Sequence, residues 1–392
     1  MSRRRWLFWL VLDLVALAVL IWIDRSLGAN RSPIGEGAPP TPTPSAAHYA
    51  QQAEAAYRAG DLRRAEESYR LALSLEPENP ARYPPLIRLL AFSNRLEEAA
   101  TWMERARRLA PEDPMVLGMA TLILDWQGKI PEALQAGEQA IARAPESAPL
   151  HAYLAEAYAD AHRPQAALAA AQKALSLDPE HPDAHRALGY VYETMGRYAE
   201  AMAAYREALT RDPHMVIVWL ALGRNALVLR QTPVAVEAFQ RAAALRPEDP
   251  RVLDELGWLY YNLGRLEEAQ QTLERARTYG PDDWRILYHL GIILYARRRY
   301  EEVVREDHLP RGIARLQEVL RQEGKACTPE TVSEEPRCAR LVEMAYILGL
   351  SQYYLGDCEK ARPWFALALS LSPQEENASK GLRLCEESHG RP

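Results

Sequence analysis

The sequence predicts an all-α solenoid of helix-turn-helix hairpins preceded by one N-terminal transmembrane helix. Three observations carry this expectation. A 34-residue unit recurs without insertion or deletion, starting at 46, 80, 114, 148, 182, 216 and 250. Each unit contains two stretches whose apolar residues recur at helical spacing. Ahead of the array, Trp6 to Ile23 form an 18-residue run with a single charge, long enough to span a bilayer with its flanks. A chain of 392 residues would otherwise suggest two or three globules, but stacked repeats bury their core between neighbours.

The N-terminal run contains Asp13, whose insertion costs roughly 2.5–3.5 kcal/mol. Twelve Leu, Ile, Val and Phe residues act in the other direction at about 0.3–0.6 kcal/mol each, so insertion wins. Trp6, Trp9 and Trp22 stand towards the ends of the run, where amphipathic rings favour the headgroup region. Arg3, Arg4 and Arg5 precede it and only Arg25 and Arg31 closely follow, which places residues 1–5 in the cytoplasm and the array across the membrane. The alternative is a cleaved signal peptide, leaving a soluble secreted or periplasmic binding protein. The apolar core is longer than a signal peptide needs, and Leu27-Gly28-Ala29 is a poor cleavage site. Residues 30–45 are rich in Pro, Gly and Thr and predict an extended spacer reaching up to roughly 50 Å.

Within the array, alanine recurs at one phase from Ala65 to Ala269 and, seven residues later, from Ala72 to Ala276. Small side chains at these phases let paired helices approach where a larger one would overpack. Leu86, Leu154, Leu188, Leu222, Leu256 and Leu290 fill the space between them. Proline closes each unit, from Pro77 to Pro281, and stops the second helix. Gly60, Gly128, Gly196 and Gly264 permit the tight turn inside a hairpin, with Asn94, His162, Arg230 and Arg298 at the same phase elsewhere.

This pattern resembles the tetratricopeptide (TPR) repeat family over residues 46–283. The resemblance implies a right-handed superhelix whose concave groove, lined by the first helix of each unit, binds peptides or partner proteins. Carried onto this sequence, the groove phases give Asp125 and Trp126; Tyr153 and Glu156; Arg186, Tyr190 and Glu193; and Arg224. They continue with Asp254, Trp258, Tyr261 and Asn262; Tyr288, His289 and Tyr295; then Tyr346 and Tyr353. Aromatic residues mixed with charges suit a protein or peptide partner. Seven uninterrupted copies imply one continuous groove.

The unit starting at 284 loses phase at Glu306–Pro310, and phase returns at Val342 after 24 extra residues. Residues 284–341 therefore read as a degenerate repeat with an insert holding a helix at 311–322 and a polar loop at 324–336. Residues 342–375 form a final unit and 376–389 a capping helix. Cys327, Cys338, Cys358 and Cys385 all fall in this irregular end, and the even count there suggests disulfides in an oxidising compartment. Of the three possible pairings, Cys327–Cys338 and Cys358–Cys385 are favoured.

The chemistry the sequence offers is otherwise thin. Phosphate-loop, nucleophile-elbow, zinc-protease and dinucleotide motifs are missing, so neither a catalytic site nor a cofactor is expected. An enzyme using the 306–341 insert is the remote alternative. His181 and His185 stand four apart, but Pro182 lies between them and His185 shares the repeat phase of His151 and Trp219, so neither metal nor zinc binding is expected. A net charge of −6 gives no electrostatic footprint for nucleic acid. The expected role is a membrane-anchored, extracytoplasmic scaffold for protein–protein interaction.

Overall fold

The second helices start every 34 residues with no slippage, as the spacing of the alanines requires. The computed structural model describes residues 44–389, all helix, turn and loop with no strand among them. The expected span at 6–23 and nearly all of the linker at 30–45 lie outside the described residues. Among those described, no helix is long and apolar enough to cross a membrane.

Hairpin 1 pairs α1 (Ala46–Arg58) with α2 (Leu62–Leu75), and hairpin 2 pairs α3 (Tyr83–Phe92) with α4 (Leu96–Leu109). A 3₁₀ turn at Pro80–Arg82 delays the start of α3. Hairpins 3 to 5 are α5 (Pro114–Trp126) with α6 (Ile130–Arg143), α7 (Ala148–Asp160) with α8 (Pro164–Leu177), and α9 (Pro182–Thr194) with α10 (Tyr198–Arg211). Hairpins 6 and 7 are α11 (Val216–Val228) with α12 (Thr232–Leu245), and α13 (Pro250–Asn262) with α14 (Leu266–Tyr279).

Every alanine of the two recurring phases is at most 1% exposed, so these positions are where helices touch. A small residue on the first helix faces a bulky one on the second. A Cβ added at Gly189 would lie 2.6 Å from the Tyr205 ring, and one at Gly223 would lie 2.9 Å from Phe239. Hairpin 3 reverses the arrangement, since a Cβ at Gly137 on its second helix would meet Leu154 at 2.7 Å and Thr121 at 3.1 Å. The turn inside each hairpin needs a left-handed residue. Glycine supplies it at 60, 128, 196 and 264, while Asn94, His162, Arg230 and Arg298 adopt the same conformation with φ of 55° to 63°.

The degenerate unit is a complete hairpin with a substituted second helix. After α15 (Trp284–Ala296), α16 stops at four residues (Tyr300–Val303), and α17 (Leu309–Gln322) takes over the packing. Leu309 presses on Gly291 as Tyr205 presses on Gly189, and Leu309, Ile313, Leu316 and Leu320 are buried. The segment that left room for a catalytic insert thus contributes core side chains. The next first helix, α18 (Pro336–Tyr354), begins six residues before the phase returns, because Pro336 opens a helix as readily as Val342 continues one. It pairs with α19 (Cys358–Leu371), and α20 (Glu376–His389) caps the stack. Disulfides join Cys327 to Cys338 and Cys358 to Cys385, the pairing favoured from the sequence.

The expectation of one continuous groove needs correction, because hairpin 1 curls round to touch hairpin 5. Tyr57 Oη donates to Asp212 Oδ2 at 2.7 Å, and His214 Nε2 lies 3.1 Å from the Arg58 carbonyl oxygen. Arg88 on α3 forms a forked pair with Asp183 on α9 (2.7 and 3.1 Å) and reaches Asp212 at 3.3 Å. Tyr153 Oη also donates to Asp183, at 2.7 Å. Burial raises the Asp183 carboxyl, but the Arg88 guanidinium more than offsets this and holds it well below the usual carboxylate range.

Three outcomes follow from this packing. Arg230→Gly should raise stability by about 1 kcal/mol, because glycine adopts a left-handed φ without steric cost. Asn94→Gly should change it by only a few tenths of a kcal/mol, since asparagine tolerates that conformation; urea midpoints decide, and a lowered midpoint for Arg230→Gly contradicts the assignment. Asp183→Asn leaves Arg88 with only its longer contact to Asp212 and should cost about 3 kcal/mol, the lower end for breaking a buried pair. Because the folded pKa of Asp183 lies below its unfolded value near 3.9, its contribution is intact above about pH 4 and is lost as pH falls further, so wild type and Asp183→Asn should converge in acid. Reducing the Cys358–Cys385 bridge, whose ends lie 27 residues apart, should release about 3–4 kcal/mol of loop-closure stabilisation. Hydrogen exchange should then speed up in α19 and α20 and stay slow in α7 to α12, because repeats couple only to neighbours.

Candidate functional site

The concave side of hairpins 1 to 6 holds two cavities, and the residues of the closure wall the smaller one. The smaller, about 740 Å³, is lined by Tyr57, Arg88, Tyr153, Asp183, Asp212 and His214 together with Met115, Met119 and several prolines. The larger, about 1160 Å³, is lined by Trp126, Glu156, Arg186, Tyr190, Glu193 and Arg224, with Asp125, Asp160 and Tyr205 among their neighbours. The two sets lie one helical turn apart along α7, from Tyr153 to Glu156, and along α9, from Asp183 to Arg186.

Seven of the seventeen residues expected in the groove, Asp125 among them, are therefore brought together in the larger cavity. Their availability differs from the expectation. Glu156 is 1% and Arg186 3% exposed, and they face each other at 2.5 Å. The Arg186 guanidinium also sits over the rings of Phe92 (4.8 Å) and Trp126 (5.6 Å), and Trp126 Nε1 donates to Glu156 at 3.2 Å. Burial raises the Glu156 carboxyl against the opposing pull of Arg186. Tyr190 Oη donates to Asp160 at 2.5 Å, Tyr205 Oη donates to Glu193 at 2.7 Å, and Asn225 donates to the same Glu193 oxygen at 2.8 Å. Arg224 projects to the rim, half exposed, where Glu255 holds it at 2.9 Å.

Tyr153 lies in the smaller cavity instead, fully buried under the Arg88–Asp183 pair. The other expected residues belong to a separate aromatic surface towards the C-terminal end. There Trp258 stacks on His289 (4.2 Å between centroids) and on Tyr261 (4.8 Å), and His289 Nδ1 lies 2.7 Å from Asp254. Tyr288 is buried beneath them and donates to Glu343 at 2.6 Å, so it supports that surface rather than presenting itself. Tyr295 packs against Tyr300 and Tyr354, and burial pushes its hydroxyl up to about 12. Asn262 is exposed at the end of α13. His181 and His185 are structural: His181 caps α9 through the Asp183 backbone N–H, and His185 lies 2.7 Å from the Pro179 carbonyl oxygen.

The groove phases also reach residues outside the expected set. Stepping back by one repeat length from Tyr190 gives Glu156, then Leu122, Arg88 and Glu54, so Arg88 shares the phase of Arg224 and Trp258. Asp183 and Asp212 had no such signal, because an acid in the first turn of a helix or just past a helix end is unremarkable in sequence. Asp125 occupies a groove phase. The structure gives it a property its phase does not: it is 2% exposed, and neither carboxylate oxygen accepts a hydrogen bond.

Comparison with known proteins agrees with this architecture. One tetratricopeptide repeat model matches residues 154–216, 220–269 and 255–302, and a second matches residues 56–123. No curated protein sequence matches the chain. Among solved structures, the chain is similar to one in the APC/C hetero-tetramer Cut9-Hcn1, at 18% identity with a TM-score of 0.56. That match covers 83% of this chain and 59% of the other, so this chain spans well under two thirds of its neighbour's length. It is also similar to the C-terminal part of a TPR repeat-containing protein from Cytophaga hutchinsonii, at 18% identity and a TM-score of 0.47, covering 68% of this chain and 99% of that one. Pseudomonas aeruginosa pilF matches at 21% identity and a TM-score of 0.43, over 54% of this chain and 93% of that one. With an all-helical solenoid in place and repeat matches over more than half its length, the chain belongs to the tetratricopeptide repeat family.

Proposed function

We propose that the protein is a membrane-anchored scaffold that holds its solenoid outside the cytoplasm and binds polypeptide partners on the concave side. The observation that carries the binding role is the larger cavity. Its volume of about 1160 Å³ exceeds what most small ligands fill, and Trp126, Tyr190 and Arg224 give it the aromatic and guanidinium chemistry that dominates protein interfaces. The aromatic surface around Trp258 offers a second contact area of the same chemistry. The neighbour in the Cut9-Hcn1 hetero-tetramer works within an assembly, and a partner-binding role for this chain is in keeping with that fold.

The location rests on different observations. The apolar run at 6–23 with arginines on its N-terminal side supports an anchor whose C-terminal side is extracytoplasmic. Two disulfides confined to the C-terminal end support an oxidising compartment.

Alkaline phosphatase fused after Pro392 should be active and a green fluorescent protein fused there dark; the reverse pattern places the array in the cytoplasm. Crosslinking in native membranes identifies the partner. Trp258→Ala and Tyr190→Ala should each weaken its binding by about tenfold to thirtyfold, the range of an interface anchor. Unchanged binding in both variants removes the concave face from the interaction.

A further inference from the structure

We propose that the larger cavity receives a basic side chain, a lysine or arginine of an extended partner peptide, against the carboxylate of Asp125. This rests on the peptide-binding reading above and names the chemistry recognised there. Asp125 faces the cavity from α5, is 2% exposed, and has both oxygens without a hydrogen-bond donor. A buried polar group in that state calls for a partner that the folded chain does not supply.

The charges around it decide what kind of partner fits. From α7 come Glu156 and Asp160, from the following turn His162, and from α9 Arg186, Tyr190 and Glu193. Arg186 is matched by Glu156, and Arg224 at the rim by Glu255, which lies outside the cavity lining. The remaining acids are Asp160 and Glu193, joined by Asp125 once it ionises, so the lining carries a surplus of negative charge. A neutral donor to ionised Asp125 would satisfy the hydrogen bond and leave the like charges facing one another; a cation relieves both. Among the described residues, no three carboxylate, imidazole or thiol groups gather as a metal site, which favours an organic cation. Arg186 adds the feature that points to a peptide. Its Nε and Nη2 are buried without acceptors, and they offer two donors to backbone carbonyls beside the acceptor that Asp125 offers to the side chain.

The cavity also links binding to pH. Burial, together with the nearby Asp160 and Glu156, pushes the Asp125 carboxyl up to about 8, although Arg186 pulls the other way. In the free protein at neutral pH it keeps its proton, and a bound cation must expel it. Affinity for an arginine-containing peptide, whose own charge is constant, therefore rises with pH by up to about tenfold per unit below 8 and levels off above.

The test selects a random dodecapeptide phage library on the full-length protein in detergent, then titrates synthetic versions of the recovered peptides by fluorescence anisotropy. The expected peptides share one basic position, and replacing that residue by glutamine weakens binding at least tenfold. Asp125→Asn should weaken the basic peptide by a similar factor, leave the glutamine peptide unaffected, and flatten the pH profile. Should Asp125→Asn not fold by circular dichroism, the wild-type pH profiles of the basic and glutamine peptides carry the same comparison: a rise towards pH 8 confined to the basic peptide supports the proposal, and its absence overturns it. Recovered peptides that share no basic residue, or that bind Asp125→Asn with unchanged affinity, overturn the inference and leave the peptide-binding reading standing. A library that yields no enrichment over bare support overturns both. Agmatine binding as tightly as the peptides overturns the assignment to a peptide side chain.

Discussion

The close approach of paired helices is the constraint from which the rest of the structure follows. It depends on small side chains at fixed phases: the recurring alanines, and glycines such as Gly189 and Gly223 that accept the rings of Tyr205 and Phe239. Interiors at crystal-like density tolerate neither extra bulk nor gaps, so each hairpin has one geometry and each stacks on the last with one rotation. Repeated rotation curves the array until Tyr57 and Arg88 meet Asp183 and Asp212. The closure and the smaller cavity it walls are accumulated consequences of a rule written into every unit.

Apolar burial and polar pairing have different tasks here. Burial of leucine, alanine and aromatic side chains supplies the stability, as in any solenoid. The buried ion pairs contribute little net stability against desolvation, and their effect is on geometry, because losing one partner strands the other. Arg88 fixes which part of hairpin 5 meets hairpin 2. The same low-dielectric interior treats two acids in opposite ways: Asp183, beside Arg88, is held ionised, whereas Asp125, near Asp160 and Glu156, is pushed towards its neutral form. One serves the fold, and the other is left with an unmet demand that the proposed ligand satisfies.

The legibility of these features in sequence follows their range. Helix pairing, the alanine contacts and the turn phase were readable, because each is decided within one repeat or between neighbours. Asn94, His162, Arg230 and Arg298 could be placed at a left-handed turn from phase alone. The insert was readable as lost phase, but its role was not: Gly291 needs a bulky partner sixteen residues on, where Asp307 stands, and Leu309 fills the place from two residues further along. Contacts across the bore were not readable. Tyr57 and Asp212 are 155 residues apart, and their meeting depends on a rotation summed over several hairpins that no local residue encodes. Phase likewise placed Tyr153, Glu156, Arg186 and Tyr288 on the inner face but could not show that they are engaged with one another or with other buried groups.

The closure of hairpin 1 on hairpin 5 is the claim on which the smaller cavity depends, and a double-mutant cycle between Tyr57→Phe and Asp212→Asn tests it directly. Residues far apart with no shared partners add within about 0.3–0.5 kcal/mol, so the two stability changes would sum in an open superhelix. Direct hydrogen bonding predicts a coupling energy of about 1 kcal/mol or more in urea unfolding of the full chain. A coupling indistinguishable from zero would contradict the closed arrangement and with it the smaller cavity.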